Sequence, residues 1–301
     1  MKNIALSFIG KLPDYIFHCV HQIRLYTDEN IFIIIDDLKS PILEKLITFK
    51  NVEIIKYESV NNYCETLKKS YNKFAVINGL KDRSKLFYRA FERFYLLYNL
   101  MVDKNINDVL FLEIDNLIYE DPKLWTDKIT KDIAFMIDNK NRCSTGICYV
   151  KKSSILKRLL DFFDNDYLTN NNRFFNEMTA VYEFYIKYKS ECYILPSCNN
   201  NQYGDDININ FNNSKILFDP LSYGIFLLGM DTFHTEGKIV LNTLNKWGCL
   251  THLTQTNVIW KVDKTTNYKK PYFVDNNGNC ILIANLHVHS KDLVNGLSLH
   301  V

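Results

Sequence analysis

The stretch Val109-Leu110-Phe111-Leu112-Glu113-Ile114-Asp115-Asn116-Leu117-Ile118-Tyr119 constrains the fold most, because it is an apolar run of strand length that stops on two acids. Such a run suits a strand buried on both faces, as in a parallel sheet. Side chains alternate along a strand, so an extended backbone here projects Glu113 and Asp115 from one side. Ligands of open parallel sheets sit in the crevice beyond the carboxyl ends of the strands. Two acids at such an end suit magnesium or manganese, held together with substrate phosphates. The plainer alternative is a pair of solvated residues at a strand end, and the metal reading is preferred to it.

The rest of the first half supports that sheet. Asn3–Ile9 reads as a strand, Pro13–Tyr26 as a helix with Pro near its start, and Ile31–Ile35 as a second buried strand ending on Asp36 and Asp37. Ser40-Pro41 is expected to cap and open a helix through Phe49, followed by a strand at Val52–Tyr57. Phe87, Phe91, Phe94, Leu97, Leu100 and Met101 recur at helical spacing and predict a long helix over Leu86–Val102. The βαβα order argues for an α/β fold with a parallel sheet covered by helices.

The second half is less regular. Strands are expected at Ile133–Ile137, Ile147–Val150 and Cys280–Ala284, and helices from Ser153 or Ser154 to about Phe163 and over Phe175–Tyr188. Asn199–Asn213 is rich in Asn, Asp and Gly and is expected to be largely loop. No linker divides the chain, so one domain over residues 1–301 is expected, with a nucleotide-binding half (1–120) and an irregular acceptor half (121–301).

Composition narrows the function classes. Hydrophobic residues make up 47% of 301 residues and charged residues 23%, which is globular rather than disordered. A net charge of +2 removes the simplest argument for nucleic-acid binding. The eight cysteines show no metal-knuckle spacing and read as reduced and mostly buried. No run reaches transmembrane length and none reads as a signal peptide, so a soluble, cytoplasmic protein is expected, in the host cytoplasm if viral.

Four features then fall in order: Glu113-Ile114-Asp115 ends a strand, Ser144-Thr145-Gly146 precedes a short strand, Asn176-Glu177-Met178 opens a helix, and Leu286-His287-Val288-His289-Ser290-Lys291 comes late. The set resembles the nucleotide-sugar glycosyltransferases of the GT-A fold. Those enzymes use a D-x-D metal motif, a glycine loop, an acidic motif and a late metal-binding histidine. Leu112–Tyr119 is similar to the L-E-x-D-N-x-x-Y form of some viral and microbial members, and Asn285–Lys291 also looks like their ending.

The resemblance implies a GT-A type, Rossmann-like mixed sheet flanked by helices. It also implies a hexosyltransferase type of enzyme, dependent on Mn2+ or Mg2+, that uses a nucleotide-sugar donor, most often UDP-linked. The acceptor would be the hydroxyl of a glycan, a protein or a small molecule. Asp115 is the first choice as metal ligand, with His287 or His289 completing the coordination. Glu113 departs from the D-x-D pattern and is assigned to nucleotide binding. Lys291 would neutralise phosphate, Gly146 would let the backbone approach the donor sugar, and Asp36 or Asp37 would contact base or ribose. Among Arg83, Lys85, Arg89 and Arg93, the block of choice for the donor phosphates is the pair Arg89 and Arg93, four apart on one helix face, with Arg89 preferred. Glu177 is the expected base, with Asp231 as the rival acid. Trp247 and Trp260 are expected to be buried packing residues. The competing readings are a nucleotidyltransferase or sugar-nucleotide-cleaving enzyme, and an inactive glycan- or nucleotide-binding protein on the same fold.

Overall fold

Runs of β-branched and aromatic residues fit a pleated surface buried on both sides, and those of the first half form the sheet that carries the site. The computed structural model describes residues 1–62, 65–78, 84–169, 176–198, 205–232 and 235–299, the side chains at 66, 73–78, 84 and 85 apart. Strands β1 (Asn3–Phe8), β2 (Asn30–Ile35), β3 (Val52–Lys56) and β4 (Val109–Leu112) are parallel, with β1 between β2 and β4. The helices between them are α1 (Ile16–Arg24), α2 (Ile42–Leu46), α3 (Tyr57–Val60), α4 (Glu65–Asn78) and α5 (Ser84–Asp103).

The long helix α5 follows its periodicity. Phe91, Phe94, Leu97, Leu100 and Met101 are all buried, and Phe91 and Phe94 meet Phe163 edge-on at 4.9 and 5.7 Å between ring centroids. Truncating Phe91 to alanine at such a site costs about 3–5 kcal/mol.

The second half contributes β5 (Asn116–Ile118), α6 (Lys123–Thr126), β6 (Ile133–Asn139), β7 (Arg142–Val150), α7 (Ser153–Phe162), α8 (Glu177–Lys187), β8 (Cys192–Leu195), α9 (Asp205–Ser214) and α10 (Tyr223–Leu228). Then come β9 (Val258–Val262), β10 (Lys269–Val274), β11 (Cys280–Leu282) and β12 (Asn285–His287). One seven-stranded sheet runs in the order β3-β2-β1-β4-β7-β6-β8. Only β7 runs against its neighbours β4 and β6, so β1, β2, β3, β4, β6 and β8 point their carboxyl ends to one edge. This is the mixed sheet flanked by helices expected above. Strands β9–β11 form an antiparallel sheet of their own, and β12 pairs antiparallel with β5.

Several local expectations are corrected. Residues 205–214 are helix α9 rather than loop, while 199–204 lie outside the described residues, as do Asn170–Asn172, Phe175 and Arg83. Packing outweighs the weak helix propensity of the Asn-rich α9: Ile207 is fully buried, and Asn210 donates to the Ile194 carbonyl at 2.7 Å. Asp205 and Asp206 in its first turn suit the helix dipole. Helix α2 spans only Ile42–Leu46 and has no side-chain cap from Ser40, and α7 likewise follows Lys152 without one. Ser144-Thr145-Gly146 does not precede β7 but lies within it, so Gly146 is a strand residue and not a turn residue. Trp247 is not buried: 76% of it is exposed, on the turn-rich segment between α10 and β9.

The seven described cysteines are free, six of them buried and Cys280 exposed. Among the described residues no helix is long and apolar enough to cross a membrane.

Candidate functional site

Strand β4 stops at Leu112, and the two acids lie in the turn that links it to β5 rather than on the strand itself. Two backbone hydrogen bonds shape this turn. Glu113 N donates to the Gly146 carbonyl on β7 at 2.9 Å, and Asn116 N donates to the Glu113 carbonyl at 2.9 Å. The chain then enters β5, whose partner β12 sets His287 opposite Asn116. Val288 N donates to the Asp115 carbonyl at 2.8 Å, fastening the late segment to the turn.

The outcome is a cluster of Glu113, Asp115 and His287. The Nε2 of His287 is 3.4 Å from Glu113 Oε2 and 3.3 Å from Asp115 Oδ2, and the three candidate ligand atoms lie within 4.8 Å of one another. Oxygen–metal bonds of about 2.1 Å place neighbouring ligands on one ion about 3 Å apart, so this donor set fits an octahedral dication with little closure. Lys291 also reaches the cluster, forming an ion pair and a hydrogen bond with Asp115 Oδ2. Burial alone raises the pKa of Asp115, but the Lys291 and His287 charges outweigh it and hold the carboxyl well below its ordinary range.

Gly146 is required by its surroundings. A Cβ there would meet His287 Nδ1 at 2.8 Å, Glu113 Oε2 at 3.0 Å and Asn116 Nδ2 at 3.1 Å. His287 Nδ1 and Asn116 Nδ2 are buried without a hydrogen-bond partner, so the space beside Gly146 is a polar cradle.

Asp219 anchors the histidine from behind. Its Oδ1 accepts from Ser222 N and Tyr223 N at 2.6 and 2.8 Å, and its Oδ2 accepts from Gly224 N and His287 N at 2.7 and 2.8 Å. One buried carboxylate thus caps α10 and clamps β12. Its own backbone N–H donates to Asn285 Oδ1, and Asn285 Nδ2 donates to Asn116 Oδ1.

Arg93 links the cluster to Glu177. Helix α5 ends its run at β4, so its earlier turns lie near the carboxyl edge of the sheet. Arg93 Nη1 pairs with Glu113, while Nη2 donates to Thr145 Oγ1 at 2.5 Å and lies 3.3 Å from Glu177 Oε1. Glu177 opens α8 after Asn176, whose side chain accepts from Met178 N at 2.9 Å. Burial raises the Glu177 pKa, with Arg93 opposing.

The remaining candidates sit around this centre. His289 faces Asp231: its Nδ1 accepts from Asp231 N at 3.2 Å and lies 3.3 Å from Asp231 Oδ2. Burial, Lys291 and His287 together lower the His289 pKa to about 4. Asp36 Oδ1 accepts from Gly10 N at 2.7 Å and Asp37 Oδ2 from Leu12 N at 3.1 Å, so both acids hold the loop after β1. Arg89 pairs with the buried Glu92, which also accepts from the Tyr57 hydroxyl at 2.7 Å. Arg89, Tyr57, Tyr71, Tyr88 and Lys68 help to line a cavity of about 530 Å³ beyond the end of β3. The cluster residues do not line that cavity; Arg89 is one helical turn from Arg93, which touches Glu113.

Sequence reasoning missed Asp219, Asn116 and the bridging role of Arg93. Asp219 carried one local signal, an acid four residues before the first residue of a helix. Arg93 carried none beyond its spacing from Arg89, because its three partners come from residues 113, 145 and 177.

No family model matches this chain, and no curated protein matches it. Among solved structures it is similar to mouse xyloside xylosyltransferase 1 in its apo form, with 9% identity, coverage of 65% of this chain and 85% of that one, and a TM-score of 0.40. It is similar to the PaToxG glycosyltransferase, with 16% identity, coverage of 63% and 70%, and a TM-score of 0.41. It is also similar to the glycosyltransferase GlyE of Streptococcus pneumoniae, with 9% identity, coverage of 64% and 44%, and a TM-score of 0.37.

Proposed function

We propose that this chain is a divalent-metal-dependent glycosyltransferase of the hexosyltransferase type, moving a sugar from a nucleotide donor, a UDP-sugar, to an acceptor hydroxyl. The observation that carries this reading is the convergence of Glu113, Asp115 and His287, with Lys291 beside them, at the carboxyl edge of the sheet. Asp115 and His287 would hold Mn2+ or Mg2+, with Glu113 as third ligand or as a contact to the nucleotide. When bound, the dication stabilises the charge left on the departing diphosphate.

The chain's own groups supply the rest. Lys291 neutralises phosphate oxygens once they arrive. Arg89, Lys68 and the tyrosines of the neighbouring cavity suit an anionic donor with a planar portion. Gly146, having no Cβ, lets His287, Glu113 and Asn116 close against β7 and so permits the cluster that would hold the metal and face the donor. Glu177, held by Arg93, is the proposed base toward the acceptor hydroxyl, and Asp231, paired with His289, is the second candidate. The acceptor is a glycan, a protein or a small molecule.

The test is manganese-dependent hydrolysis or transfer of a UDP-sugar, together with UDP binding with and without Mn2+. Asp115→Ala should abolish turnover and weaken UDP binding far more with metal than without it. Equal, metal-independent UDP binding by both proteins removes the proposal. Glu177→Gln should nearly stop transfer while leaving donor affinity intact, and unchanged turnover takes Glu177 out of the reaction.

A further inference from the structure

The ammonium of Lys291 and the Nε2 of His287 converge on one atom, Asp115 Oδ2. That carboxylate is enclosed, with only 8% of its side chain exposed, so it has little water with which to share its charge. The lysine does not arrive there on a loose tail. Val288 N donates to the Asp115 carbonyl at 2.8 Å, and Lys291 N donates to the Val288 carbonyl at 3.0 Å, forming a turn that starts on Asp115 and returns to it. Lys291 holds φ at +64°, a left-handed conformation that residues other than Gly, Asn and Asp rarely adopt. The turn thus brings the Lys291 side chain back onto Asp115 Oδ2 from a left-handed backbone position.

A dication on Asp115 Oδ2 and an ammonium on the same oxygen exclude one another, since like charges this close, beside a largely buried carboxylate, repel. The lysine side chain is 41% exposed, so it has room to swing off Asp115 without unfolding the turn. We infer that Lys291 is an exchangeable counter-ion of Asp115. It competes with the dication for the carboxylate and, once displaced, pairs with an anionic oxygen of the bound diphosphate. Metal and diphosphate then bind cooperatively, because the diphosphate gives the displaced ammonium a partner and so lowers the cost of metal entry. By linkage each ligand tightens the other by the same factor. The diphosphate half of this inference rests on the proposed function; the competition for Asp115 rests on the geometry alone.

The test titrates Mn2+ into the full chain and reads free Mn2+ by its electron paramagnetic resonance signal, without turnover. Without nucleotide, Lys291→Met should bind Mn2+ at least tenfold more tightly than the wild type, and Lys291→Arg, which keeps the charge, should stay within about threefold of it. Adding UDP should tighten Mn2+ binding in the wild type at least fivefold more than in Lys291→Met. Adding Asp115→Ala to Lys291→Met should remove the gained affinity. Equal or weaker Mn2+ binding by Lys291→Met overturns the inference while leaving the metal site standing. Tight binding that survives Asp115→Ala overturns it by placing the ion elsewhere. Absence of Mn2+ binding in wild type and Lys291→Met alike overturns it together with the metal reading. Thermal unfolding without metal confirms that each variant is folded.

Discussion

Arg93 and Glu177 are 84 positions apart in the chain, yet Arg93 Nη2 lies 3.3 Å from Glu177 Oε1 while Nη1 holds Glu113. One guanidinium therefore serves two carboxylates, 30% and 11% exposed, from a side chain that is itself only 7% exposed. Arginine suits this place because its planar fork addresses two partners at fixed angles. Replacing Arg93 by Met leaves both acids without their cation, at an expected cost of about 3–5 kcal/mol. Lysine, with one point charge, should recover only part of it. Urea unfolding measures this, and a methionine variant within 1 kcal/mol of wild type, on the order of an exposed ion pair, would show that the bridge matters little.

Gly146 yields a prediction about metal binding rather than folding. A methyl group there would sit 2.8 Å from His287 Nδ1 and 3.0 Å from Glu113 Oε2, so the cluster must open to admit it. Gly146→Ala should weaken Mn2+ affinity about tenfold or more, a loss on the order of 1.4 kcal/mol or larger, and lower the melting temperature by only a few degrees. Calorimetric titration decides it; unaltered Mn2+ affinity would show that the cradle tolerates the methyl group.

Gly224 is the stricter case. Its added Cβ would lie 2.1 Å from the His287 carbonyl oxygen and 2.8 Å from Asp219 Oδ2, and a backbone oxygen has no rotamer with which to yield. Gly224→Ala should cost about 3 kcal/mol and separate α10 from β12. Hydrogen exchange at Leu286 and His287 should accelerate first, since those amides sit at that contact.

Asp138 gives a pH dependence of definite sign. Burial, with Asp219 adding to it and Arg142 opposing, raises its pKa to about 6, against about 3.9 for an unfolded aspartate. Between about pH 4 and 6 the folded protein keeps a proton that the unfolded chain has released, so stability falls as pH rises through that window and levels above it. Two pKa units correspond to about 3 kcal/mol. Asp138→Asn cannot titrate, so its stability relative to wild type should improve by about that amount from pH 4 to pH 7. A constant difference across this range would exclude Asp138 as the titrating group.

The readability of the sequence divides by range of interaction. Strands β1, β2 and β4 and helix α5 were legible because burial on two faces and a 3.6-residue stripe are properties of contiguous residues, and the edge strand β3 because of its β-branched run. Helix α9 was not, since its Asn-rich sequence is held by Ile207 and Asn210 packing against β8, a contact made from outside the segment. At the site, the types of the residues at 113, 115 and 287 were readable from their motifs. Which histidine meets the acids was not, because β12 ends at His287 and the chain turns before His289, which faces Asp231 instead. The exposure of Trp247 was likewise hidden, because its turn is pinned through its carbonyl by Asn139 and Arg142 and leaves the indole outside.

Strand β12 has one further consequence. It reaches β5 across about 170 positions, and between α10 and β9 the described residues form only turns. The cluster therefore depends on the two segments staying apposed, not on an unbroken peptide between them. A protease nick within 235–257 should leave a two-piece molecule, its fragments joined by strand pairing and the Asp219 clamp, that still carries Glu113, Asp115 and His287 together. Washing the later fragment away under denaturant should remove the cluster, and adding it back should restore it.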